Sequence, residues 1–283
     1  MSHLSLARPS WRSNVHALGA IAVAEWKKYW RYPLNALARS LEPLVWVAPL
    51  YFMARVFSVG NQAQGLAAYT GSGDYMSFVL LGTVLINFIL AVFWGMGYSL
   101  KNDMDVGVLE ANWLTPMPRL LLLIGRTITN LLTTGISSAV MLALAAVLFG
   151  FRPTGSALAA VLVAVPMLLG LYGFGFAFAA LVLVLREANM LVDTTSFLVQ
   201  TFSGANFPVQ ALPRWLLPLS LALPTTYGLD AVRGLLLGTR TLLPLGAEVG
   251  LMLVFMVVML GLGWAAFRAL ERRVRRLGTL GQY

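Results

Sequence analysis

The sequence predicts an all-α membrane protein with six transmembrane helices, an N-terminal amphipathic interfacial helix and a re-entrant helical pair before the last span. Of its 283 residues, 59% are hydrophobic and only 11% are charged, whereas a soluble domain has about 45–50% apolar and about 25% charged residues. The apolar residues form long runs, each supplying about the 20 residues needed to cross the hydrocarbon core. These runs do not alternate between apolar and polar residues, which argues against membrane-spanning strands.

The predicted spans cover residues 36–57, 75–98, 120–149, 156–185, 188–206 and 244–267. We expect a cytoplasmic N-terminus over 1–35, a transmembrane domain over 36–267 and a basic cytoplasmic tail over 268–283. When both termini are placed on one side, most of the 20 Lys and Arg residues lie there with them. Because cytoplasmic loops carry an excess of positive charge, we expect both termini in the cytoplasm and the chain in the plasma (inner) membrane.

The composition also excludes several kinds of chemistry. The net charge of +9 is spread over short polar segments, so we expect membrane lipid, and no nucleic acid, as a partner. There is no cysteine, and the two histidines, His3 and His16, lie near the N-terminus, which argues against a metal site. The sequence contains no G-x-x-x-x-G-K-[ST] phosphate loop and the first thirty residues lack the apolar core of a cleavable signal peptide. We predict that the chain is not an enzyme and binds no cofactor of its own.

The segment before the first span is predicted to be an amphipathic helix over Gly19–Arg31. One face carries apolar and aromatic residues and the other is basic: Ala22, Val23, Trp26, Tyr29 and Trp30 against Lys27, Lys28 and Arg31. Such a helix suits the membrane surface, with tryptophan at the headgroups and basic side chains on anionic lipid. Two interpretations stay open: a plain anchor, or a lever between a cytoplasmic partner and the spans.

The connection between the second and third spans, residues 101–119, is the most polar internal stretch on the cytoplasmic side. We expect a short helix ending before Pro116 with an apolar stripe made of Val108, Leu109, Trp113 and Leu114. Glu110 lies off that stripe and is available to a basic partner. An exposed Trp and Leu pair on a short helix is typical of an element that docks in a groove. The alternative is a helix lying on lipid.

A third feature, residues 206–233, is apolar but broken by Pro208, Pro213, Pro218 and Pro224. Proline interrupts a continuous helix, and broken helices at membrane depth are tolerated where protein or a water-filled cavity covers them. We therefore expect two short helices that enter from the outside and return. Asp230 and Arg233 are one turn apart and are expected to pair. The segment is interpreted either as a structural cap or as an exit gate for a substrate.

Charged residues inside the spans are functional candidates because burying a charge in lipid is costly. They are Arg39 and Glu42 in the first span, Asp193 in the fifth and Glu248 near the outer end of the sixth. Their positions near span ends favour local pairing or contact with water, and we expect no proton relay through them. Glycines in the fourth span, including Gly170, Gly173 and Gly175, permit close helix packing.

Two stretches resemble the type 2 ABC-exporter permease family. Residues Gly107–Pro116, followed by Arg119 and the Gly125–Arg126 pair, are similar to the family's Gly-x-x-Glu…Thr/Ser-Pro segment after the second span. Residues Phe207–Arg233 are similar to the family's outer segment, with Phe-Pro, Leu-Pro-x-Trp-Leu, Leu-Pro-x-x-Tyr and Asp-x-x-Arg in the same order. With the six spans, amphipathic start and basic tail, the resemblance covers nearly the whole chain.

The resemblance implies a permease that pairs with a second permease chain, as a homodimer or heterodimer, and binds two cytoplasmic ATP-binding-cassette ATPase subunits that use ATP and Mg. It implies a coupling helix at about 103–116, a connecting helix before the first span and an outer gate over about 207–233. The implied coupling residues are Gly107, Leu109, Glu110, Trp113, Leu114 and Pro116. The implied connecting-helix residues are Trp26, Lys27, Lys28 and Trp30, and the implied gate residues are Phe207, Pro208, Pro213, Trp215, Pro224, Tyr227, Asp230 and Arg233.

The hypothesis is the transmembrane permease subunit of an ATP-driven exporter whose substrate path lies between two permeases. The inner spans offer aromatic rings for that path, chiefly Trp46, Phe52, Phe88, Trp94, Phe197 and Phe202. A path with many rings and few charges suits an amphiphilic drug, a lipid or a lipid-linked glycan, although the same rings are also suited to face lipid or core. The alternatives are an ion-gradient-driven secondary transporter and a non-transporting assembly or sensor subunit.

Overall fold

The computed structural model describes residues 11–57, 63–98, 102–103, 105–107, 119–185 and 188–277. Within these ranges every regular element is a helix, which confirms the all-α prediction. The α-helices are α1 (Trp11–Trp30), α2 (Pro33–Phe57), α3 (Gln64–Thr70), α4 (Tyr75–Phe93), α5 (Arg119–Phe149), α6 (Ala157–Leu185), α7 (Ala188–Phe202), α8 (Leu217–Leu221), α9 (Pro224–Leu237) and α10 (Leu245–Leu277). A π-helix (Trp94–Tyr98) continues α4, and a 3₁₀ turn (Val209–Ala211) precedes α8.

Four helical stretches are long and apolar enough to cross a bilayer. They are Tyr75–Met96, Leu121–Phe149, Ala157–Leu181 and Leu245–Ala269. They correspond to the second, third, fourth and sixth predicted spans. The described residues therefore contain four candidate membrane spans.

The first and fifth predicted spans differ from these four for separate reasons. Helix α2 has 25 residues but includes Arg39, Glu42 and two prolines, Pro43 and Pro49. Helix α7 has 15 residues, about 22 Å at 1.5 Å per residue, which is less than the roughly 30 Å of hydrocarbon core. Six crossings therefore remain a prediction, which is supported most directly by the four helices that are long and apolar enough to cross a bilayer.

The closest helix packing joins α6 and α10. Gly173 on α6 faces Gly263 on α10 so closely that a Cβ atom at Gly263 would lie 1.9 Å from the carbonyl oxygen of Gly173. Gly170 faces Phe255 and Met256 in the same way. The predicted role of the glycines in close packing therefore holds along the α6–α10 seam.

Helix α4 runs through the centre of the bundle and defines its two ends. It contacts α2, α5, α6, α7 and α9, and Val79, Leu80, Ile89 and Val92 are at most 1% exposed. Its first turn lies next to α9, and its π-helical continuation leads toward residues 102–107, near α1. We call these two regions the α9 end and the α1 end.

The proline-rich segment forms a 3₁₀ turn followed by two helices, α8 and α9. Pro224 occupies the first turn of α9, where the missing N–H has no helical partner. Helix α9 then continues past Arg233 to Leu237 and ends at Gly238, whose φ of 67° is left-handed. At the other terminus, α1 begins at Trp11, earlier than the predicted Gly19.

Candidate functional site

At the α9 end, Arg233 joins three parts of the chain. The side chain is 3% exposed, and its Nε donates to the carbonyl oxygen of Phe78 on α4 at 3.2 Å. Nη1 donates to the carbonyl of Gly204 at 2.7 Å, and Nη2 donates to those of Phe78 and Ala205. The guanidinium carbon lies 3.4 Å from the centre of the Phe78 ring. Arg233 therefore holds α9, the start of α4 and the segment after α7 together.

The expected local pairing of Asp230 with Arg233 is replaced by longer-range contacts. The N–H groups of Arg233 donate to backbone carbonyls, and an Asp230 oxygen accepts from the backbone N–H of Leu242. Burial raises the pKa of the Asp230 carboxyl, while this backbone donor, the Glu248 side chain and the charge of Arg233 act in the opposite direction. Arg233 thus stabilises Asp230 through charge, and Asp230 holds the loop after α9.

The hydroxyl groups of the proline-rich segment fold α8 against its neighbours. Ser220 Oγ donates to the carbonyl of Phe202 at 2.6 Å, and Thr226 Oγ1 donates to the carbonyl of Ser220 at 2.7 Å. Tyr227 donates its hydroxyl proton to the carbonyl of Leu221 at 2.9 Å. These bonds satisfy backbone groups that the prolines leave outside regular helix, so the segment has a defined shape.

The predicted gate residues are distributed over this segment rather than gathered at one point. Asp230 and Arg233 lie in its polar interior, while Trp215 is 76% exposed and Pro213 is exposed. The remaining predicted gate residues are half-buried: Phe207, Pro208, Pro224 and Tyr227. The structure brings together a fixed polar interior and an exposed tryptophan, and the gate role remains a prediction.

At the α1 end, Arg126 on α5 is the centre of a second cluster. Its Nη1 donates to Asp103 Oδ2 at 2.8 Å, and its Nη2 donates to Asp103 Oδ1 at 3.2 Å. Its Nε lies 3.8 Å from Glu25 Oε1 on α1, and Glu25 Oε2 lies 3.9 Å from Lys28 Nζ. The Asp103 side chain is only 4% exposed. One arginine therefore links α1, the start of the predicted coupling segment and α5.

Helix α1 is packed on α5 as well as linked by charge. A Cβ atom at Gly125 would lie 2.8 Å from Ile21 Cγ2, and Thr129 Oγ1 donates to the carbonyl of Ala22 at 3.2 Å. Further along, the hydroxyl groups of Tyr29 and Ser137 are 3.4 Å apart. Because small residues on α5 leave room for α1, the part of α1 from Ile21 to Tyr29 lies against α5.

The placement of the predicted connecting-helix residues follows from this packing. Trp26 is half-buried, while Lys27 and Lys28 are exposed. Trp30 is 45% exposed and Val23 is 52% exposed, and the contact of this face with the membrane surface stays a prediction. Glu25, which no apolar pattern singles out, lies on the inward side instead.

A π-helix separates α4 from the α1 end. Asn130 on α5 donates its side-chain N–H to the carbonyl of Ala91 at 2.7 Å, one turn before the π-helix starts at Trp94. A Cβ atom at Gly95 would lie 2.3 Å from Asn130 Nδ2. Single-turn π-helices often occur at functional sites, and here Asn130 supports the backbone where α4 changes its winding.

Most of the predicted coupling residues lie outside the described residues: Leu109, Glu110, Trp113, Leu114 and Pro116. Gly107 is described; it is exposed, and its φ of 73° is left-handed. Glycine suits that conformation because it has no Cβ. The structure therefore shows one contact at the start of the predicted coupling segment, that of Asp103 with Arg126.

The six rings predicted to line a path are mainly on the outer faces of α2 and α7. Trp46 is 72% exposed, Phe52 is 64% exposed and Phe197 is 66% exposed. Trp94 is 40% exposed, while Phe88 and Phe202 are half-buried. Four of the six rings are therefore exposed in the single chain, and a path between two chains remains a prediction.

The charged span residues also separate into two groups. Glu42 and Asp193 are exposed, whereas Glu248 is fully buried. The described residues contain no cluster of His, Cys, Asp or Glu suited to a metal ion. Sequence patterns did not predict the contacts among Arg126, Asp103 and Glu25, because these residues are far apart in sequence. Arg126 was named only in the Gly125–Arg126 pair of the family resemblance.

Comparison with known proteins places these features in a family. A family model described as "ABC-2 type transporter" matches residues 16–237, which include both arginine clusters. The chain is also 27% identical over 204 residues to the "Probable doxorubicin resistance ABC transporter permease protein DrrC" of Mycobacterium tuberculosis, in strains CDC 1551 / Oshkosh and ATCC 25618 / H37Rv. The match covers 70% of this chain and 71% of each relative. This chain belongs to the ABC-2 type transporter family and is a permease, the transmembrane component of an ABC transporter.

Proposed function

We propose that this chain is the transmembrane subunit of an ATP-driven exporter that moves an amphiphilic or hydrophobic substrate out of the cytoplasm or inner leaflet. Two such permeases form the path, and two separate ATPase subunits bind and hydrolyse ATP with Mg. Each chain crosses the membrane six times with both termini in the cytoplasm, and the α8–α9 segment is re-entrant from the outside.

One structural observation carries the coupling part of the proposal. Arg126 binds both oxygens of Asp103 and lies next to Glu25. It therefore joins the helix before the first span, the beginning of the cytoplasmic connection and the third span. A push delivered to residues 103–116 by an ATPase is passed to α1 and α5 through that contact, because a bidentate arginine–carboxylate pair fixes direction as well as distance.

The class of substrate is supported by two further observations. The exposed rings of α2 and α7, including Trp46, Phe52 and Phe197, offer an aromatic surface with few charges. The relative carries doxorubicin resistance in its name, so doxorubicin is the first substrate to test. A lipid or lipid-linked glycan fits the same surface and forms the second arm of that test.

The proposal is tested with the chain and its ATPase partner reconstituted in liposomes. We expect ATP-dependent doxorubicin transport, and we expect Glu110→Ala and Trp113→Ala to reduce transport by about tenfold or more, since each removes a contact of the coupling helix. Trp264→Ala serves as the matched control because Trp264 is a half-exposed tryptophan on α10, outside the predicted coupling helix at about 103–116. Transport and substrate-stimulated hydrolysis that are unchanged in both coupling variants would contradict the coupling assignment.

The same liposomes separate the alternative functions. Transport driven by a proton or sodium gradient without ATP would replace the exporter with a secondary transporter. Binding of the ATPase without transport of doxorubicin, lipid or lipid-linked glycan would favour an assembly or sensor subunit.

A further inference from the structure

The start of α10 buries a carboxyl group that the transport proposal does not use. Glu248 is fully buried, and its Oε1 accepts from the backbone N–H of Leu243 at 3.2 Å. Its Oε2 is also buried and receives no N–H or O–H from the residues that the structure describes. A buried carboxylate oxygen without a donor costs several kcal/mol in general, so the second oxygen of Glu248 needs an explanation.

The explanation lies in the neighbouring carboxyl of Asp230. Asp230 accepts from the N–H of Leu242, which is the residue next to the one that binds Glu248. Because Leu242 and Leu243 are consecutive residues, their N–H groups hold the Asp230 and Glu248 carboxyls at the same place in the loop. Two ionised carboxylates at one place repel each other, and neither has a proton to offer to the unpartnered Glu248 Oε2.

The charge balance of the region also favours one proton shared by the two carboxyls. Arg233 on α9 is the cation that acts on Asp230, and it balances one negative charge. Arg240 is in the same loop, but its side chain packs on Gly71. Asp74 lies just before α4 and Arg152 just before α6, and neither has a contact with the pair among the described residues. One proton shared by the two carboxyls therefore leaves the buried group neutral with Arg233.

We propose that Asp230 and Glu248 form a proton-binding pair that holds the loop over residues 238–244 while one proton is shared, and that releases this loop when the proton is lost. The step moves one proton between solvent and the pair and breaks no covalent bond. In the held state the carboxyls accept the N–H groups of Leu242 and Leu243, and the N–H of Arg240 donates to the carbonyl of Thr70 at 2.8 Å. The pair thereby fastens α9 and α10 to the segment before α4.

The pH dependence follows from proton linkage. Carboxyl groups of the unfolded chain lose their protons near pH 4, whereas the folded pair keeps one proton at higher pH, because burial raises the pKa of Asp230. The folded state then binds more protons than the unfolded state, so this contribution to stability is complete below about pH 4 and falls as the pH rises through the folded value. The loop over residues 238–244 is expected to open in the same pH range.

The test is amide hydrogen exchange of the full-length chain in nanodiscs. We expect the protection factor of peptides that include Leu242 and Leu243, corrected for intrinsic exchange, to fall by about tenfold or more between about pH 5 and pH 9, since one unit of pKa shift corresponds to tenfold. Glu248→Gln donates a permanent N–H to Asp230 and should remove this change. Glu42→Gln is the matched control, because Glu42 is exposed on α2.

Two results would overturn the proposal. One is a protection factor with the same pH dependence in the unchanged chain and in Glu248→Gln. The other is the absence, at pH 7, of the infrared C=O band of a protonated carboxyl from the unchanged chain. The infrared result does not depend on whether Glu248→Gln folds. Asp230→Asn removes one carboxyl of the pair and leaves Glu248, so a change of the band in this variant assigns it to the pair.

Discussion

Arg233 and Arg126 lie near opposite ends of α4 and are held by different kinds of acceptor. Arg233 is 3% exposed and donates to backbone carbonyls of Phe78, Gly204 and Ala205. Arg126 has a side chain that is 22% exposed and donates to the carboxylate of Asp103. Backbone carbonyls do not titrate and move only with the chain, whereas a carboxylate can rotate away and be replaced by water.

The difference indicates which end is fixed and which can move. At the α9 end, releasing Arg233 would leave several buried carbonyls without a donor. At the α1 end, releasing Arg126 would leave the carboxylates of Asp103 and Glu25 and an arginine that already contacts solvent. The α9 end is therefore suited to hold the helices in register, and the α1 end is suited to change its contacts when a partner pushes on it.

The largest expected effect on stability is that of Arg233→Lys. Lysine keeps the charge but has three donors on one atom and no planar group to stack on Phe78. The carbonyls of Gly204 and Ala205 cannot both keep their donors, and each buried unsatisfied acceptor costs about 1–3 kcal/mol. We expect the free energy of unfolding to fall by about 3 kcal/mol, measured by denaturant titration in detergent micelles.

Arg152→Lys is the control for this change, because Arg152 is exposed before α6. The control should unfold like the unchanged chain, within about 0.5 kcal/mol. An Arg233→Lys protein as stable as the control would mean that the α9 end is not fixed by these hydrogen bonds.

Gly82→Ala is expected to have the next largest effect. A Cβ atom at Gly82 would lie 2.1 Å from the carbonyl oxygen of Ala205 and 2.5 Å from Arg233 Nη2, so α4 or the segment after α7 must shift. Overpacking of this kind costs about 1–3 kcal/mol. In Gly135→Ala, by contrast, the new Cβ meets only Phe88 Cζ at 3.9 Å.

The two glycine variants are expected to change the stability in opposite directions. Removing a glycine from a helix without a clash stabilises it by about 0.5–1 kcal/mol. We therefore expect a lower unfolding midpoint for Gly82→Ala and a slightly higher one for Gly135→Ala. Equal midpoints would show that the α4 contact with Ala205 is looser than the distances indicate.

The spanning helices were the part of the fold most accessible from sequence. Long apolar runs gave the stretches around Tyr75–Met96, Leu121–Phe149, Ala157–Leu181 and Leu245–Ala269, because hydropathy acts over each segment by itself. The interruption of the segment after α7 also followed from its prolines. The boundaries were less accurate, as α1 starts at Trp11 and α9 ends at Leu237, because helix ends depend on tertiary contacts.

The partners of the charged side chains could not be predicted in the same way. Spacing of three residues indicated a local Asp230–Arg233 pair, yet Arg233 binds Phe78, which is 155 residues away. Glu248 was expected to reach water or a local partner, and it is fully buried. These contacts depend on which helix ends meet, and a helical period carries no information about that. The roles assigned to the gate, coupling and path residues remain predictions.

The largest expected effect on coupling belongs to Arg126→Gln. Loss of a bidentate bond to Asp103 should lower the free energy of unfolding by about 2 kcal/mol. Asp103→Asn in the same chain should restore part of this loss, because it removes the buried carboxylate that Arg126→Gln leaves behind. With ATPase present, transport per ATP hydrolysed should fall about tenfold in Arg126→Gln while the complex still forms.

Glu25→Gln separates the two carboxylates that face Arg126. Glu25 is 31% exposed and lies 3.8 Å from the guanidinium, so screening by water limits its effect to less than about 1 kcal/mol. Added salt should reduce this effect further, whereas the effect of Arg126→Gln should persist because Asp103 is buried. If transport per ATP fell equally in both variants, α1 rather than the coupling segment would be the element through which Arg126 acts. If it fell in neither, the α1 end would be as fixed as the α9 end, and the movable element would have to lie elsewhere along α4.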